Sequence, residues 1–427
     1  MNELSFCALS GAGEVSGNAF LLEAGGVRLL LDAGAAHNRE PAWVDRLERP
    51  DACWVSHVHW DHFGAVVPII ERFPRARFLV TSTTGRLAAV ALEQDGMDSD
   101  RAGALASRLE AVPTRRYFDI SSESDSVGAE KFRANKLQAM AFPAGHIPGA
   151  AMLLVEADVG GDRPFRLLYT GDFCGHDQPL VDGALFPRTG QSFPIDVLVI
   201  EGVLATQKKL DKLDYAAELS RLIGTVSERK GGALVGVSTL AEAAPLARAL
   251  SDAGESVVVH RALESVLAVC WPEYRDGGVE LADDSQCARA LQAGRVVLAP
   301  GEQFAPSSAA GRALESVVGR KDALVVVVNR AHKKSVAGRL LSAQPGQKVR
   351  LGRRKVPLEA TVEHFSLPNH APRSQLVEAV QAVDPGRVLL VHGHKSHLYA
   401  LKRAIEKSGF SGEIDVPENG TSIVLGE

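Results

Sequence analysis

Between residues 56 and 64 the chain reads SHVHWDHFG, which puts His57, His59, Asp61 and His62 within six positions. Three imidazoles and a carboxylate are donors that suit zinc and its neighbours among the divalent metals. Backbone geometry points such close neighbours in different directions, so four of them cannot easily bind one ion. The cluster reads as half of a larger site, with the other half elsewhere in the chain.

Three later segments place a ligand type where an apolar strand ends. FPAGHIPGA offers His146, LLYTGDF offers Asp172, and VLLVHGHKSH offers His392. Loops leaving one edge of a sheet gather in space, so strand ends are good places for ligands. With the opening cluster this makes seven candidates, a number that suits two ions. One ion takes His57, His59 and His146; the other takes Asp61, His62 and His392; Asp172 bridges them. Paired metals about 3.5–4 Å apart suit in-line attack at phosphorus by a shared hydroxide. His394 and His397 follow His392 at a helix start and read as surface groups.

The elements that must position these residues are legible in outline. Two β-rich runs broken by Gly25-Gly26 make a hairpin over 18–34, and DACWVSHVH is a short strand ending in the histidines. A helix start at GAVVPIIERF and a strand at ARFLVTS follow, and residues 84–117 have a helical composition. Four more strands are expected in KLQAMAFPAGH, AAMLLVEADV, FRLLYTGDF and IDVLVIEG. After Glu201 helices and strands alternate, which points to a parallel, doubly wound unit. The tail returns to strands at RVLLVHGH and TSIVLGE, with a helix over 396–408. GAGEVSG near the start reads as a turn, because no P-loop lysine follows it.

Bulk properties narrow the class. The 427 residues suffice for two or three domains, and the net charge of −5 gives no global basic field. Five cysteines without a CxxC pair fit a reducing compartment, and neither a secretory signal nor an apolar run of membrane-spanning length is present, so a cytoplasmic location is expected.

The motifs resemble those of the metallo-β-lactamase fold. LLLDAG with Asp32, HVHWDH, GHIPGA and TGDF match its four motifs in order. LVIEGV, VEHFSLPNHA and LLVHGH resemble the three further motifs of the β-CASP branch, whose members process nucleic acids, and the likeness covers nearly the whole chain. The resemblance implies an α/β fold: an αββα metallo-β-lactamase sandwich over 1–203 and 355–427, with a doubly wound β-CASP domain inserted at 204–354. It also implies zinc, two ions, with manganese compatible with the same ligand types. Substrate would thread between the two domains.

By the same resemblance Asp32, Asp61, Glu201 and His370 form the catalytic set. His370 would protonate the leaving oxygen while Glu201 holds its other ring nitrogen. FSLPNHA is two residues longer than the family's usual string, so His364 is a rival for the acid. GVLAT after Glu201, GH after His392 and APGEQFAPSS also depart from the family pattern, and all three touch substrate handling.

A phosphodiester path needs local positive charge. QKVRLGRRK supplies Lys348, Arg350, Arg353, Arg354 and Lys355, and NRAHKKS adds Arg330, Lys333 and Lys334. Ser307, Ser308 and Gly311 form a candidate phosphate-contacting loop. Substrate contacts are therefore expected at Ser307, Ser308, Arg353 and Arg354. In the family resembled, a histidine at the last motif goes with RNA-active members, so His392 implies RNA, with single-stranded DNA as a second substrate. A homodimer or a processing-complex partner stays open, and no membrane partner is expected. Two other classes stand beside the nuclease: a small-molecule hydrolase of thioesters or lactones, disfavoured by the long insert, and a non-catalytic scaffold, disfavoured by the complete ligand set.

Overall fold

The computed structural model describes residues 4–36, 41–120, 137–190 and 192–426. They fall into two compact units. The first comprises the described residues of Met1–Asp177, Asp182–Lys212 and Asn369–Glu427; the second comprises Gln178–Val181 and Leu213–Pro368.

The first unit is built on two seven-stranded sheets. One runs in the order Ser422–Gly426, Leu4–Ser10, Ala19–Ala24, Val27–Leu31, Ala52–Trp54, Arg77–Thr81 and Leu109–Val112. The other runs Glu413–Asp415, Arg387–Val391, Val197–Glu201, Phe165–Tyr169, Ala151–Ala157, Leu137–Pro143 and Tyr117–Asp119. Phe6, Phe20, Leu31 and Trp54 from the first sheet share a core with Leu153, Leu167, Tyr169 and Val199 from the second. Alternate residues of the same strands, such as Leu198 and Ile200, are buried on the opposite face. Helices cover those outer faces: Ser82–Gln94 lies on Arg77–Thr81, Arg373–Val383 on Val197–Glu201, and Lys395–Lys407 on Arg387–Val391. The result is the αββα arrangement. Strands buried on both faces read as continuous apolar runs, which is why VLVIE and RVLLV were visible in the sequence. Truncating a core residue such as Leu153 to Ala would cost about 2–5 kcal/mol.

The second unit is a six-stranded sheet in which every pairing is parallel, in the order Glu280–Ala282, Val257–His260, Val296–Pro300, Ala233–Val237, Leu324–Val328 and Thr361–Phe365. Chain order crosses back over the first strand, and helices such as Tyr215–Ser227 and Asp284–Gln292 pack on it, as a doubly wound sheet requires.

Some elements differ from the sequence expectations. The stretch 84–117 holds the helices Ser82–Gln94 and Ser99–Ala106, but then turns into the strands Leu109–Val112 and Tyr117–Asp119. Sheet pairing overrides the Ala- and Arg-rich composition there. The two compact units divide the chain at other positions than 204 and 354. Arg354–Pro357 closes an antiparallel hairpin with Lys348–Leu351, and Thr361–Phe365 pairs with Leu324–Val328, so residues 355–368 stay with the second unit. At the other crossing, residues 204–212 stay with the first unit, where Asp211 accepts from the Ser374 amide at 3.0 Å and from Arg373 at 2.5 Å.

Candidate metal centre

All seven ligand candidates lie in the first unit, at strand ends. Ala52–Trp54 delivers His57 and His59, and the single helical turn Trp60–Phe63 carries Asp61 and His62. Leu137–Pro143 is followed by His146, Phe165–Tyr169 by Asp172, and Arg387–Val391 by His392. The turns are tight. Gly145 adopts φ +75°, and a Cβ there would meet the Cys174 carbonyl at 2.2 Å; at Gly171 it would meet Ser56 at 2.7 Å. Asp32 and His392 hold φ of +60° and +50° without being glycine, and such strain gathers at functional sites.

The ligand atoms form two overlapping groups. His57, His59, His146 and Asp172 make one, and Asp61, His62 and His392 the other, each with its ligand atoms within 4.8 Å of one another. Asp172 stands between them: its Oδ2 lies 3.6 Å from His57 Nε2 and from His146 Nε2 and 3.3 Å from His62 Nε2, while Oδ1 is 3.1 Å from His392 Nε2. His146 Nε2 is 2.9 Å from His59 Nδ1, and the two Nε2 atoms of His62 and His392 are 3.3 Å apart. Nitrogen and oxygen donors at about 2 Å from a tetrahedral zinc are separated by distances on this scale.

Two observations show that these residues fit a metal. His57 Nε2 and Asp172 Oδ1 are buried polar atoms without a hydrogen bond, a costly arrangement unless a cation takes them. The ring nitrogens not aimed at the cluster are also held. His57 Nδ1–H donates to Ser56 Oγ at 3.0 Å, and that hydroxyl donates to Asp32 Oδ2 at 2.8 Å. His62 Nδ1–H donates to Asp32 Oδ2 at 2.6 Å, and His146 Nδ1–H to the Asn369 carbonyl at 2.8 Å. Such bonds fix tautomer and ring orientation, leaving the inward nitrogen bare.

Asp32 is fully buried and accepts two further bonds, from the Ser56 amide at 2.6 Å and the Tyr169 hydroxyl at 2.5 Å. It stands behind His62 and Ser56, as a positioning residue. Ser56, Tyr169 and Asn18 were missed by sequence reasoning, as was the Asn369 carbonyl. Asn18 is fully buried with its Nδ2 2.9 Å from His392 Nδ1 and 3.0 Å from His62 Nε2. Only the motif position of Asp32, a carboxylate closing an apolar strand, signalled any of this supporting layer.

A third group joins Asp172 to Glu201 and His370. His370 Nδ1 is 3.1 Å and 3.2 Å from the two Glu201 oxygens and 3.8 Å from Asp172 Oδ2. Glu201 is itself fixed, accepting from the Phe173 amide at 3.0 Å and the Val203 amide at 3.2 Å. His364 belongs to the second unit, where its Nε2–H donates to the Asn329 carbonyl at 2.6 Å. Ser307, Ser308, Arg353 and Arg354 are also in the second unit. The Ser308 hydroxyl is used twice within the chain: it accepts from the Gly311 amide at 3.0 Å as a helix N-cap and donates to the Ala305 carbonyl at 2.7 Å.

Electrostatics divide the histidines into two sets. Burial pushes His57 and His146 well below the usual imidazole range and takes His59 down to about 4, so all three stand neutral at pH 7. Burial opposes charge at His62 as well, but Asp172, Asp32 and Asp61 outweigh it and raise that imidazole well above 6.5. At His370 burial is overcome by Glu201 and Asp172, which lift it to about 9. The surrounding histidines hold the Asp172 carboxyl well below its ordinary value despite its burial.

Comparison with known proteins identifies two domains. The metallo-β-lactamase superfamily matches residues 12–173, and the Zn-dependent metallo-hydrolase RNA specificity domain matches residues 355–417. The chain carries a metallo-β-lactamase domain and an RNA specificity domain of zinc-dependent metallo-hydrolases. Among similar proteins, cleavage and polyadenylation specificity factor subunit 3 of Dictyostelium discoideum is 23% identical over 99% of this chain and 57% of its own length. Ribonuclease TTHA0252 of Thermus thermophilus is 23% identical over 93% of this chain and 95% of its own. Endoribonuclease ysh1 of Aspergillus fumigatus is 24% identical over 60% of this chain and 29% of its own. The chain thus spans little more than half of the Dictyostelium protein and under a third of the Aspergillus one. A crystal structure of a protein of unknown function from Enterococcus faecalis V583 superposes with a TM-score of 0.62 at 11% identity, covering 99% of this chain and all of that one, which shows the fold alone.

Proposed function

We propose that the chain is a two-metal phosphodiesterase that hydrolyses RNA, with His57, His59, Asp61, His62, His146, Asp172 and His392 as metal ligands. One observation carries the reading: an imidazole backed by a buried carboxylate, His370 on Glu201, stands beside the bridging candidate Asp172. Zinc, the usual metal of the superfamily, supplies Lewis acidity and activates water at neutral pH when bound.

The chain's own residues do the rest. Asp32 and Ser56 turn His62 and His57 so that their Nε2 atoms face inward. Glu201 takes the Nδ1 proton of His370 as a hydrogen bond, which leaves the Nε2 proton free to pass to the leaving oxygen. With its affinity raised to about 9, that nitrogen carries its proton at neutral pH. The side chain is 20% exposed, enough to meet a substrate, while Glu201 is only 1% exposed.

RNA as substrate is supported by the printed names of the relatives and by the match over 355–417. We further propose the second unit as the β-CASP insert, and Ser307, Arg353 and Arg354 as its phosphate contacts, with Ser308 placing the helix that follows. Single-stranded DNA as a second substrate and a homodimer are both to be tested, and a processing-complex partner is supported by the names of the cleavage and polyadenylation relatives. Five cysteines outside any disulfide, three of them buried, agree with a reducing, cytoplasmic setting, and no helix among the described residues is long and apolar enough to cross a membrane. The test is cleavage of end-labelled single-stranded RNA and DNA side by side, with His59→Ala as control. RNA cleavage that the variant loses supports the proposal. Absence of cleavage in a protein holding two metals refutes it for the isolated chain.

A further inference from the structure

The second unit carries a patch of uncompensated positive charge assembled from separate stretches of sequence. In the hairpin, Lys348 and Arg350 point to the exposed face of Lys348–Leu351, while Val349 and Leu351 are buried in the core of that unit. Across the hairpin Arg350 pairs directly with Lys355, which is also exposed. Like charges placed opposite each other destabilise a strand pair, and this hairpin retains them. Its only ion pair among the described residues is a loose one, Arg354 to Glu315 at 3.5 Å.

Arg339 ties a second basic segment to this face. One of its amino groups donates to the Arg350 carbonyl at 3.2 Å and the other to the Lys334 carbonyl at 2.6 Å. The loop 330–335 thereby sits beside the hairpin, and Arg330, Lys333 and Lys334 on it are exposed and form no ion pair among the described residues. At the hairpin turn, Gly352 lies against Pro306, so that Arg353 joins the loop that carries Ser307. Neither segment contains a Phe, Tyr or Trp, and charged side chains outnumber the one imidazole, His332, so the face favours phosphates over stacked bases. Alternate strand residues are about 7 Å apart, on the scale of successive phosphates in an extended strand.

We propose that this face is a docking surface for the sugar–phosphate backbone of RNA, read by charge and indifferent to base sequence. It rests on the reading of RNA as substrate and adds a binding surface distinct from the metal-ligand cluster.

The test is the salt dependence of binding to a single-stranded RNA of about 30 nucleotides, using metal-loaded full-length chain with His370→Ala so that the RNA survives. Lys348→Gln, Arg350→Gln and Lys355→Gln are combined in that background, with metal content and unfolding temperature as controls of the fold. The slope of log K against log salt should shrink by about 2, at roughly 0.7 for each phosphate that the variant no longer neutralises. Poly-U and mixed-sequence RNA should respond alike. An unchanged slope overturns the proposal, as does a wild-type chain that binds phosphatidylserine vesicles but not RNA. Cleavage by the wild-type chain, assayed in parallel, separates the two readings: a chain that cleaves RNA but shows no slope change loses only this surface. A chain that binds through the surface without cleaving loses only the assigned activity.

Discussion

His370 holds its Nδ1 almost evenly between the two oxygens of Glu201, at 3.1 and 3.2 Å; Glu201 closes the strand Val197–Glu201 and His370 precedes the helix Arg373–Val383 of the same unit. The carboxylate raises the proton affinity of the ring and fixes which nitrogen faces outward. Replacing His370 by Ala should lower kcat by about 100- to 10,000-fold, the usual worth of a general acid, while metal content stays near two per chain. Glu201→Gln keeps the side chain's shape but removes the charge, so the rate above neutral pH should fall earlier than in the wild type. The sign follows from the direction of the shift: loss of Glu201 lowers the affinity of His370, so the acid form is lost at lower pH. A His370→Ala rate equal to wild type would sink the assignment and return attention to His364.

His59→Ala removes one nitrogen from the group that includes His57 and His146. The expected result is a chain that retains about one metal and loses at least 100-fold in RNA hydrolysis. Metal counting by atomic emission beside the cleavage assay checks both halves. Retained activity at full metal content would refute the two-metal scheme.

Proton release should accompany metal uptake at the second group but not the first. In the metal-free chain His57, His59 and His146 have depressed affinities and are neutral at pH 7, so a metal entering there displaces no proton from them. His62 is raised well above 6.5 by Asp172, Asp32 and Asp61, so it is charged at that pH and must give up its proton to bind. Zinc titration by calorimetry in buffers of different ionisation enthalpy should show about one proton released, confined to the second binding event. Release spread over both events would contradict the charge assignment.

How much of this was legible in the sequence depends on the range of the interaction. His57, His59, Asp61 and His62 are local, and each remaining ligand candidate sits just after an apolar run, so strand patterning pointed to them. Asn18, Ser56 and Tyr169 gave no such sign, because their importance comes from what the sheets bring beside them: Tyr169 meets Asp32 from 137 residues away, and Asn18 meets His392 from 374 away. The strands Leu109–Val112 and Tyr117–Asp119 were hidden for a related reason. They are short edge segments with mostly exposed side chains, so the sheet stabilises them and the composition does not announce them. The second compact unit runs on to residue 368 because Thr361–Phe365 joins its sheet through pairing with Leu324–Val328, a long-range contact that local sequence does not announce.

Asn18 supplies the last prediction. Its carboxamide is fully buried between His62 and His392, with Nδ2 3.0 Å from one ring and 2.9 Å from the other, while Oδ1 has no hydrogen-bond partner. A histidine that ligates through Nε2 carries its proton on Nδ1 and needs an acceptor there. Turning the amide over would place Oδ1 against His392 Nδ1–H and satisfy both groups at once. Asn18→Ala should therefore weaken binding of the second metal by about 10- to 100-fold and leave the first unchanged, since His57 and His146 are held by other partners. Asn18→Asp, which offers an acceptor at the same position, should restore much of that affinity, whereas a role confined to packing would be served no better by Asp than by Ala. Competition of each variant against a zinc chelator measures the two steps separately. An Ala variant that holds both metals as tightly as the wild type would show that the amide only fills space.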